Sequence, residues 1–235
     1  MTVSPHHPSR QNGQRSPPFI WPWELRSKLH LKQAVLSKQM INVLLITDSI
    51  MRHMNEEEAC KMKHRIRFSR VDMTNTSQLS CTNLLNKISE DTPHIIYVHL
   101  GINDVHQGST VRNILDNMDG FITNVHQRSP NSKMIISAPL LNGRPDQRRQ
   151  IVQLRKALDS LVHDIDRTPK LTDRRLYYQR NTQFFSLDPA GSFQQNEKYF
   201  GGEDKVHLSE RGKHAISSCF RDGIHQILRT YELLE

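Results

Sequence analysis

The sequence predicts an α/β protein, a three-layer α/β/α sandwich around a parallel sheet of about five strands. Short apolar runs recur after residue 40, and segments with helical spacing of apolar side chains lie between them. The chain of 235 residues is long enough for one large domain with an additional arm. We therefore divide it into residues 1–40, a basic and proline-rich arm that is partly disordered, and residues 41–235, the α/β domain.

The predicted elements follow from two kinds of apolar pattern. Nearly continuous apolar runs are typical of strands buried on both faces, and alternation is typical of a strand near the edge of a sheet. The strand candidates are residues 41–46, 65–71, 94–100, 134–138 and 175–178, of which the second alternates and the last is the weakest. The helix candidates are residues 79–89, 111–126, 146–166 and 209–233.

The N-terminal arm differs in composition from the rest of the chain. It is rich in proline and carries many basic residues against the single acid Glu24. Residues 1–18 have little to bury and are expected to be disordered. Residues 21–38 have the spacing of a short basic amphipathic helix, which can contact nucleic acid or an acidic membrane. Packing of this helix on its own domain is the alternative.

Charge and composition limit the class of protein. The formal charge of +8 is compatible with binding to RNA, DNA or an acidic membrane but does not establish it. The longest apolar runs, at residues 43–46 and 95–100, fall short of the roughly 20 residues that span a bilayer. We expect no transmembrane segment and, since no secretory signal is seen, an intracellular, cytoplasmic protein. Three cysteines without CxxC spacing predict reduced thiols and no metal site.

Polar motifs stand at three places where strands or loops meet helices. Asp48-Ser49 follows the first strand, Gly101-Ile102-Asn103-Asp104 follows the third, and Asp204 precedes His207 by three residues before the last helix. In open parallel sheets, ligands bind beyond the carboxyl ends of the strands. We therefore expect these motifs to converge at one edge of the sheet.

Together the motifs have the chemistry of a serine hydrolase. Ser49 is the candidate nucleophile, His207 its general base, and Asp204 the group that orients the imidazole. The backbone N–H of Ser49 and the side-chain amide of Asn103 are candidate oxyanion donors. Each motif alone also has a local explanation, because Asp-Ser is a common helix cap and Gly-x-Asn-Asp a common turn.

In this order the motifs resemble those of the SGNH (GDSL-like) hydrolase family. Residues 43–50 resemble its first block, residues 98–104 its third and residues 204–212 its fifth, and the resemblance covers about residues 41–230. It implies a flavodoxin-like sandwich and a cofactor-free esterase acting on a short-chain acyl or lipid ester. Asp48 and Gly101 then support the turns. The residues of these blocks are most similar to those of esterase modules of animal non-LTR retrotransposons and of small acetylhydrolases.

The sequence departs from the family pattern at two glycines. Thr47 replaces the first-block glycine, and no glycine occurs between Thr47 and Leu100, so the second-block glycine is missing. That glycine supplies a third oxyanion N–H in the family. Another backbone N–H near Met73–Thr76 could replace it, with Asn75 the residue that best tolerates positive φ, or the third donor is absent and turnover is weak. The alternative is a weak or inactive module that binds RNA or a protein through its basic surface.

Overall fold

The structure, a computed structural model, describes residues 31, 33–35, 37, 39–51, 54, 65–141, 144–167, 174–181, 197–201 and 206–232. In this part of the chain five parallel strands form one sheet in the order β2-β1-β3-β4-β5. The strands are β1 (Ile41–Thr47), β2 (Ile66–Asp72), β3 (Ile95–His99), β4 (Lys133–Ser137) and β5 (Leu176–Gln179). The predicted fold class and strand number are confirmed.

Helices connect the strands and cover the sheet. They are α1 (Thr82–Asp91), α2 (Ile102–His106), α3 (Val111–Arg128), α4 (Pro145–Ile165) and α5 (Glu210–Glu232). Tyr178 of β5 donates from its hydroxyl to Arg155 O of α4 at 2.8 Å, whereas the neighbouring Gln179 lies against Gly223 of α5. Since adjacent residues of a strand point to opposite faces, α4 and α5 lie on opposite sides of the sheet. This is the predicted three-layer arrangement.

Burial explains the different patterns of the strands. The inner strand β3 is buried throughout and β1 nearly so, which accounts for their apolar runs. The edge strand β2 is half-buried at five of its seven positions, in keeping with its alternating sequence. On the α5 face, Phe220 packs edge-on against Tyr97 at a centroid distance of 4.9 Å.

Part of the predicted N-terminal arm lies in the same core. Leu31, Ala34 and Val35 are helical and buried, with no more than 4% of their surfaces exposed. Residues 1–30, where the disordered segment was predicted, lie outside the described residues, as does Cys60. Cys81 and Cys219 are free thiols. No helix in the described ranges has the length and apolar character needed to cross a membrane.

The strand order locates the crevice of the sheet. From β1 the chain passes to β2 on one side and then to β3 on the other, so the direction of winding reverses between β1 and β3. Ligands of open α/β sheets bind beyond the carboxyl ends of the strands at such a reversal. Ser49 and Asn103 follow these two strands.

Candidate active site

The segment after β1 presents Ser49 on a short turn. The carboxylate of Asp48 accepts a hydrogen bond from Ile50 N–H at 3.0 Å, and Asp48 O accepts one from Met51 N–H at 3.3 Å. Ser49 begins a three-residue 3₁₀ helix and is half-buried. Neither its N–H nor its hydroxyl makes a hydrogen bond with a described residue. Both groups are thus available to a ligand.

A glycine turn presents Asn103 after β3. Gly101 has φ 114° and ψ −17°, a left-handed conformation that strains any other residue. A Cβ atom there would also lie 3.1 Å from Leu154 Cδ2. The turn starts α2, a single helical turn at a place where the sequence predicts only a motif. The half-buried side chain of Asn103 makes no hydrogen bond within the described ranges.

Two contacts tie the loop after β2 to both neighbouring strands. Met73 N–H donates to Thr47 O at 2.8 Å, which joins the loop to the end of β1. Asp104, buried on α2, accepts from Thr76 N–H at 3.1 and 3.0 Å and from the Thr76 hydroxyl at 2.6 Å. The segments that follow β1, β2 and β3 are therefore held together by direct hydrogen bonds.

Asn75 supplies the one N–H of Met73–Thr76 that makes no hydrogen bond with a described residue. Thr74 N–H donates to Gln78 Oε1 at 2.6 Å, while Asn75 N–H has no such partner. The Asn75 side chain accepts from the Ser77 hydroxyl at 2.7 Å and donates to Gln107 Oε1 at 3.2 Å. Asn75 has φ −151° and ψ 173°. The expectation that positive φ would favour asparagine here is wrong, since extended backbone admits any residue.

The segment around His207 is fixed by a small antiparallel contact. Phe200 and Leu208 form an isolated β-bridge, and Gly201 N–H donates to His207 O at 2.8 Å. The side chain of His207 is exposed, and no hydrogen bond joins it to Ser49. Asp204, the predicted orienting carboxylate, lies outside the described residues.

A glycine on α5 lets the bridge pack against the helix. Ser209 N–H donates to Tyr199 O at 3.0 Å, and Gly212 N–H donates to the Ser209 hydroxyl at 3.1 Å. A Cβ atom on Gly212 would lie only 1.9 Å from Tyr199 O. Glycine is therefore required here by close backbone approach, which explains the glycine at the end of the fifth-block motif.

Asp48 has an unusual environment for a carboxyl group. It is fully buried, and its Oδ2 atom has no hydrogen-bond partner among the described residues. Burial raises its pKa to about 7, with repulsion from Asp104 and Asp72 acting in the same direction and the Ile50 N–H opposing it. The carboxyl group beside Ser49 is therefore largely protonated below neutral pH.

Other chemistry has less support in the described part of the chain. No group of three His, Cys, Asp or Glu side chains there could hold a metal ion. A cavity of about 240 Å³ lies along β5 between α4 and α5, and none of the predicted site residues lines it. The motifs that follow the strands thus remain the best candidate site.

Comparisons with known proteins bear on the fold. No family model and no curated protein matches the chain. Among solved structures it is similar to carbohydrate esterases of family 3 from Talaromyces cellulolyticus (14% identity, 81% of this chain and 99% of the other, TM-score 0.62) and from Clostridium thermocellum (15%, 81% and 98%, 0.62). It is also similar to a member of the lipolytic G-D-S-L family from Veillonella parvula (14%, 78% and 97%, 0.54). The chain has the SGNH (GDSL-like) hydrolase fold, as predicted.

The close approach at Gly212 generates a first prediction. Gly212→Ala forces Tyr199 O to move, and we expect it to lower the free energy of unfolding by about 1–3 kcal/mol. Gly120→Ala is the control, because a Cβ atom there meets nothing within 4 Å and alanine favours the helix by up to about 1 kcal/mol. Urea unfolding measures both. Equal effects of the two substitutions would contradict the packing described at Gly212.

Burial of Asp48 generates a prediction about pH. Its pKa is higher in the folded protein, at about 7, than its ordinary value of 3.8, so folding favours the protonated form. The stability that this group contributes is present in full below pH 4 and is lost as pH rises through 7. Asp48→Asn removes this titration, so the variant should gain stability relative to the wild type between pH 5 and pH 8.

Thermal unfolding at the two pH values measures the effect of Asp48→Asn. Asp116→Asn is the control, because the Asp116 side chain is 63% exposed and forms a surface ion pair with Arg112. Its difference from the wild type should stay nearly constant over the same range. An Asp48→Asn difference that does not change with pH would show that the buried carboxyl is already ionised at pH 5.

Proposed function

We propose that the protein is a serine hydrolase of carboxylic esters with short-chain acyl or lipid groups. Ser49 is the nucleophile, His207 the general base and acid, and Asp204 the carboxylate that orients the imidazole. The oxyanion donors are Ser49 N–H, the Asn103 amide and Asn75 N–H. No cofactor takes part.

The supporting observation is the pattern of used and unused donors after three adjacent strands. Around Ser49 and Asn75, the neighbouring N–H groups of Ile50, Thr74 and Thr76 are all engaged within the protein. The three proposed oxyanion donors make no hydrogen bond with a described residue. Folded proteins satisfy most of their polar groups, so unused donors that follow neighbouring strands suit a ligand oxygen. A developing oxyanion is such an acceptor.

The reaction proceeds in two halves. The Ser49 hydroxyl oxygen attacks the carbonyl carbon while His207 takes its proton, and the carbonyl oxygen becomes the oxyanion. Collapse of the tetrahedral intermediate expels the alcohol, to which His207 returns the proton, and leaves an acyl ester on Ser49. Water, deprotonated by His207, then releases the acid and restores the serine.

Asn75 N–H replaces the family's missing glycine donor in this proposal. Extended backbone at Asn75 presents an N–H without positive φ, so glycine is unnecessary. The hydrogen bonds of its side chain with Ser77 and Gln107 restrict the residue from its own loop and from the end of α2. The neighbouring Asp104–Thr76 contact adds a rigid support that costs no reorganisation during the reaction.

Catalysis requires His207 to reach the Ser49 hydroxyl. The two are not hydrogen-bonded in the structure, and His207 is exposed. Catalytic hydrogen bonds often form fully only when substrate is bound. We therefore expect the exposed side chain of His207 to reach the Ser49 hydroxyl when substrate is bound.

Turnover of p-nitrophenyl acetate tests the proposal. The wild type should release p-nitrophenol, and Ser49→Ala should abolish that release because the nucleophile is lost. Ser80→Ala is the control, since Ser80 is an exposed serine outside the site whose hydroxyl contacts Ser77 O. Equal turnover by the wild type and Ser49→Ala would exclude the esterase. RNA binding that weakens with salt and survives Ser49→Ala would then favour the binding module.

Asn103→Ala tests the number of oxyanion donors. With three donors, two remain in the variant, so kcat should fall by about 10²–10³ yet stay measurably above that of Ser49→Ala. Asn113→Ala, at an exposed position of α3, should leave kcat unchanged. Loss of activity in Asn103→Ala equal to that in Ser49→Ala would mean that Asn75 N–H does not contribute. A kcat near the wild-type value would remove Asn103 from the oxyanion hole.

A further inference from the structure

The turn that carries Ser49 has little support from its own backbone. It is a three-residue 3₁₀ helix, Ser49–Met51, in which Met51 N–H donates to Asp48 O at 3.3 Å. Hydrogen bonds of 3₁₀ helices have poorer geometry than those of α-helices, and this one exceeds the usual N···O distance of about 2.7–3.2 Å. The position of Ser49 therefore depends on contacts between the turn and the rest of the protein.

Met51, at the end of the turn, is held by such contacts. Its side chain is fully buried in the core. Its carbonyl oxygen accepts two hydrogen bonds, one from Met54 N–H at 3.0 Å and one from the Arg70 guanidinium at 2.6 Å. A carbonyl oxygen has two lone pairs, so both are used. The bond from Arg70 joins the turn to β2.

Arg70 reaches the turn from the neighbouring strand. In the register of β1 and β2, Arg70 pairs with Leu45, and the strands end two residues later where Asp72 pairs with Thr47. Successive strand residues advance by about 3.3 Å, so the long side chain of Arg70 spans the last positions of the strand to reach Met51 O. The Arg70 side chain is 21% exposed, so most of its surface lies against the protein.

The guanidinium of Arg70 makes a stronger contact with the turn than with its ion-pair partner. Arg70 Nε lies 3.9 Å from Asp72 Oδ1, and the Asp72 side chain is 46% exposed. Exposed ion pairs contribute little to stability. The bond to Met51 O is short and has a charged donor, and such hydrogen bonds are roughly twice as strong as neutral ones. Of these two contacts, the one to the Ser49 turn therefore matters more.

The contact lies on the face of the sheet that α5 covers. Phe68 of β2 packs against Phe220 of α5 with a centroid distance of 5.7 Å. Arg70 is two residues from Phe68 in the same strand, so both side chains point to the α5 face. α5 begins at Glu210, shortly after the proposed base His207. Arg70 and the helix that follows His207 therefore share one side of the sheet.

Arg70 supports a different part of the site from the Asp104–Thr76 contact. That contact ties together the loops after β2 and β3, which carry the proposed oxyanion donors Asn75 and Asn103. Arg70 supports the segment after β1, which carries the proposed nucleophile. Loss of the Arg70 guanidinium should therefore displace the attacking oxygen and leave the donors in place.

We propose that Arg70 is a positioning residue for the nucleophile Ser49. By binding Met51 O, the guanidinium fixes the turn that directs the Ser49 hydroxyl towards the oxyanion donors. The inference rests on the proposed esterase function and adds to it a residue that the sequence motifs do not include. Arg70 acts through the backbone of the turn and not through contact with the substrate.

Arg70→Met tests the proposal, because methionine keeps an aliphatic stem and removes the guanidinium. Without the bond to Met51 O the turn shifts, and a displacement of about 1 Å can lower a rate by about 10²-fold. We expect kcat for p-nitrophenyl acetate to fall by about 10–10²-fold, with KM unchanged because no substrate contact is lost. The rate at which the Ser49 oxygen displaces fluoride from a fluorophosphonate should fall by a similar factor.

One conservative variant and two controls show which feature of Arg70 matters. Arg70→Lys keeps a charged donor, so its kcat should lie between those of the wild type and Arg70→Met. Arg67→Met removes the same charge from an exposed position of β2, and Asp72→Asn removes the ion pair, so both should keep the wild-type kcat. A loss in either control equal to that in Arg70→Met would overturn the proposal. So would a kcat of Arg70→Lys as low as that of Arg70→Met.

Melting temperatures separate positioning from a loss of folding, and all rates are measured well below the melting temperature of each variant. A folded Arg70→Met with wild-type kcat and fluorophosphonate reactivity overturns the role of Arg70 and leaves the esterase intact. If Arg70→Met does not fold, Arg70→Lys decides. A reduced kcat with unchanged KM supports positioning, and a wild-type kcat overturns it. A wild type that neither hydrolyses the ester nor reacts with the fluorophosphonate overturns the proposed function and the inference with it.

Discussion

The candidate site depends on the buried carboxylate of Asp104. This group accepts both the backbone N–H and the hydroxyl of Thr76, and so joins the loop after β2 to the helix after β3. The neighbouring Met73–Thr47 hydrogen bond joins the same loop to the end of β1. Ser49, Asn75 and Asn103 come from distant parts of the sequence. Their relative positions are maintained because the loops that carry them share these contacts.

Burial of polar groups at the strand ends has a common cause. The reversal of strand order brings polar motifs to the edge of a sheet whose inner strands are buried. Asp48 and His99 are buried there, away from water. Burial raises the pKa of the Asp48 carboxyl and lowers the pKa of the His99 imidazole, so that both groups favour their neutral forms. At neutral pH His99 is therefore uncharged and Asp48 is partly protonated, while the buried carboxylate of Asp104 is held by hydrogen bonds from Thr76.

The sequence predicted the strands well because their patterns report burial directly. Residues 41–46 and 94–100 read as apolar runs, and the corresponding strands β1 and β3 lie inside the sheet. The conformation of Asn75 was predicted wrongly. Positive φ was inferred from the missing glycine, whereas the loop adopts an extended backbone that its contacts with Asp104 and Thr47 hold in place. Such contacts leave no local signal in the sequence.

The need for glycine at position 212 also leaves no local signal in the sequence. The sequence shows Gly212 only as part of a motif, whereas glycine is required because a Cβ atom there would collide with the backbone carbonyl of Tyr199. The contacts of His99 likewise come from separate elements, since its Nδ1 atom lies 2.9 Å from the Ser137 hydroxyl, which accepts from Tyr97 and Asn181.

The sequence by itself determined the fold class, the five strands and the motifs at their ends. It could do so because apolar periodicity and turn residues act over a few neighbouring positions. Only the tertiary structure decided which N–H groups remain unused and which carboxyl has a raised pKa. Each of these depends on the exact partners and burial of one atom, and those are supplied by residues far away in the sequence.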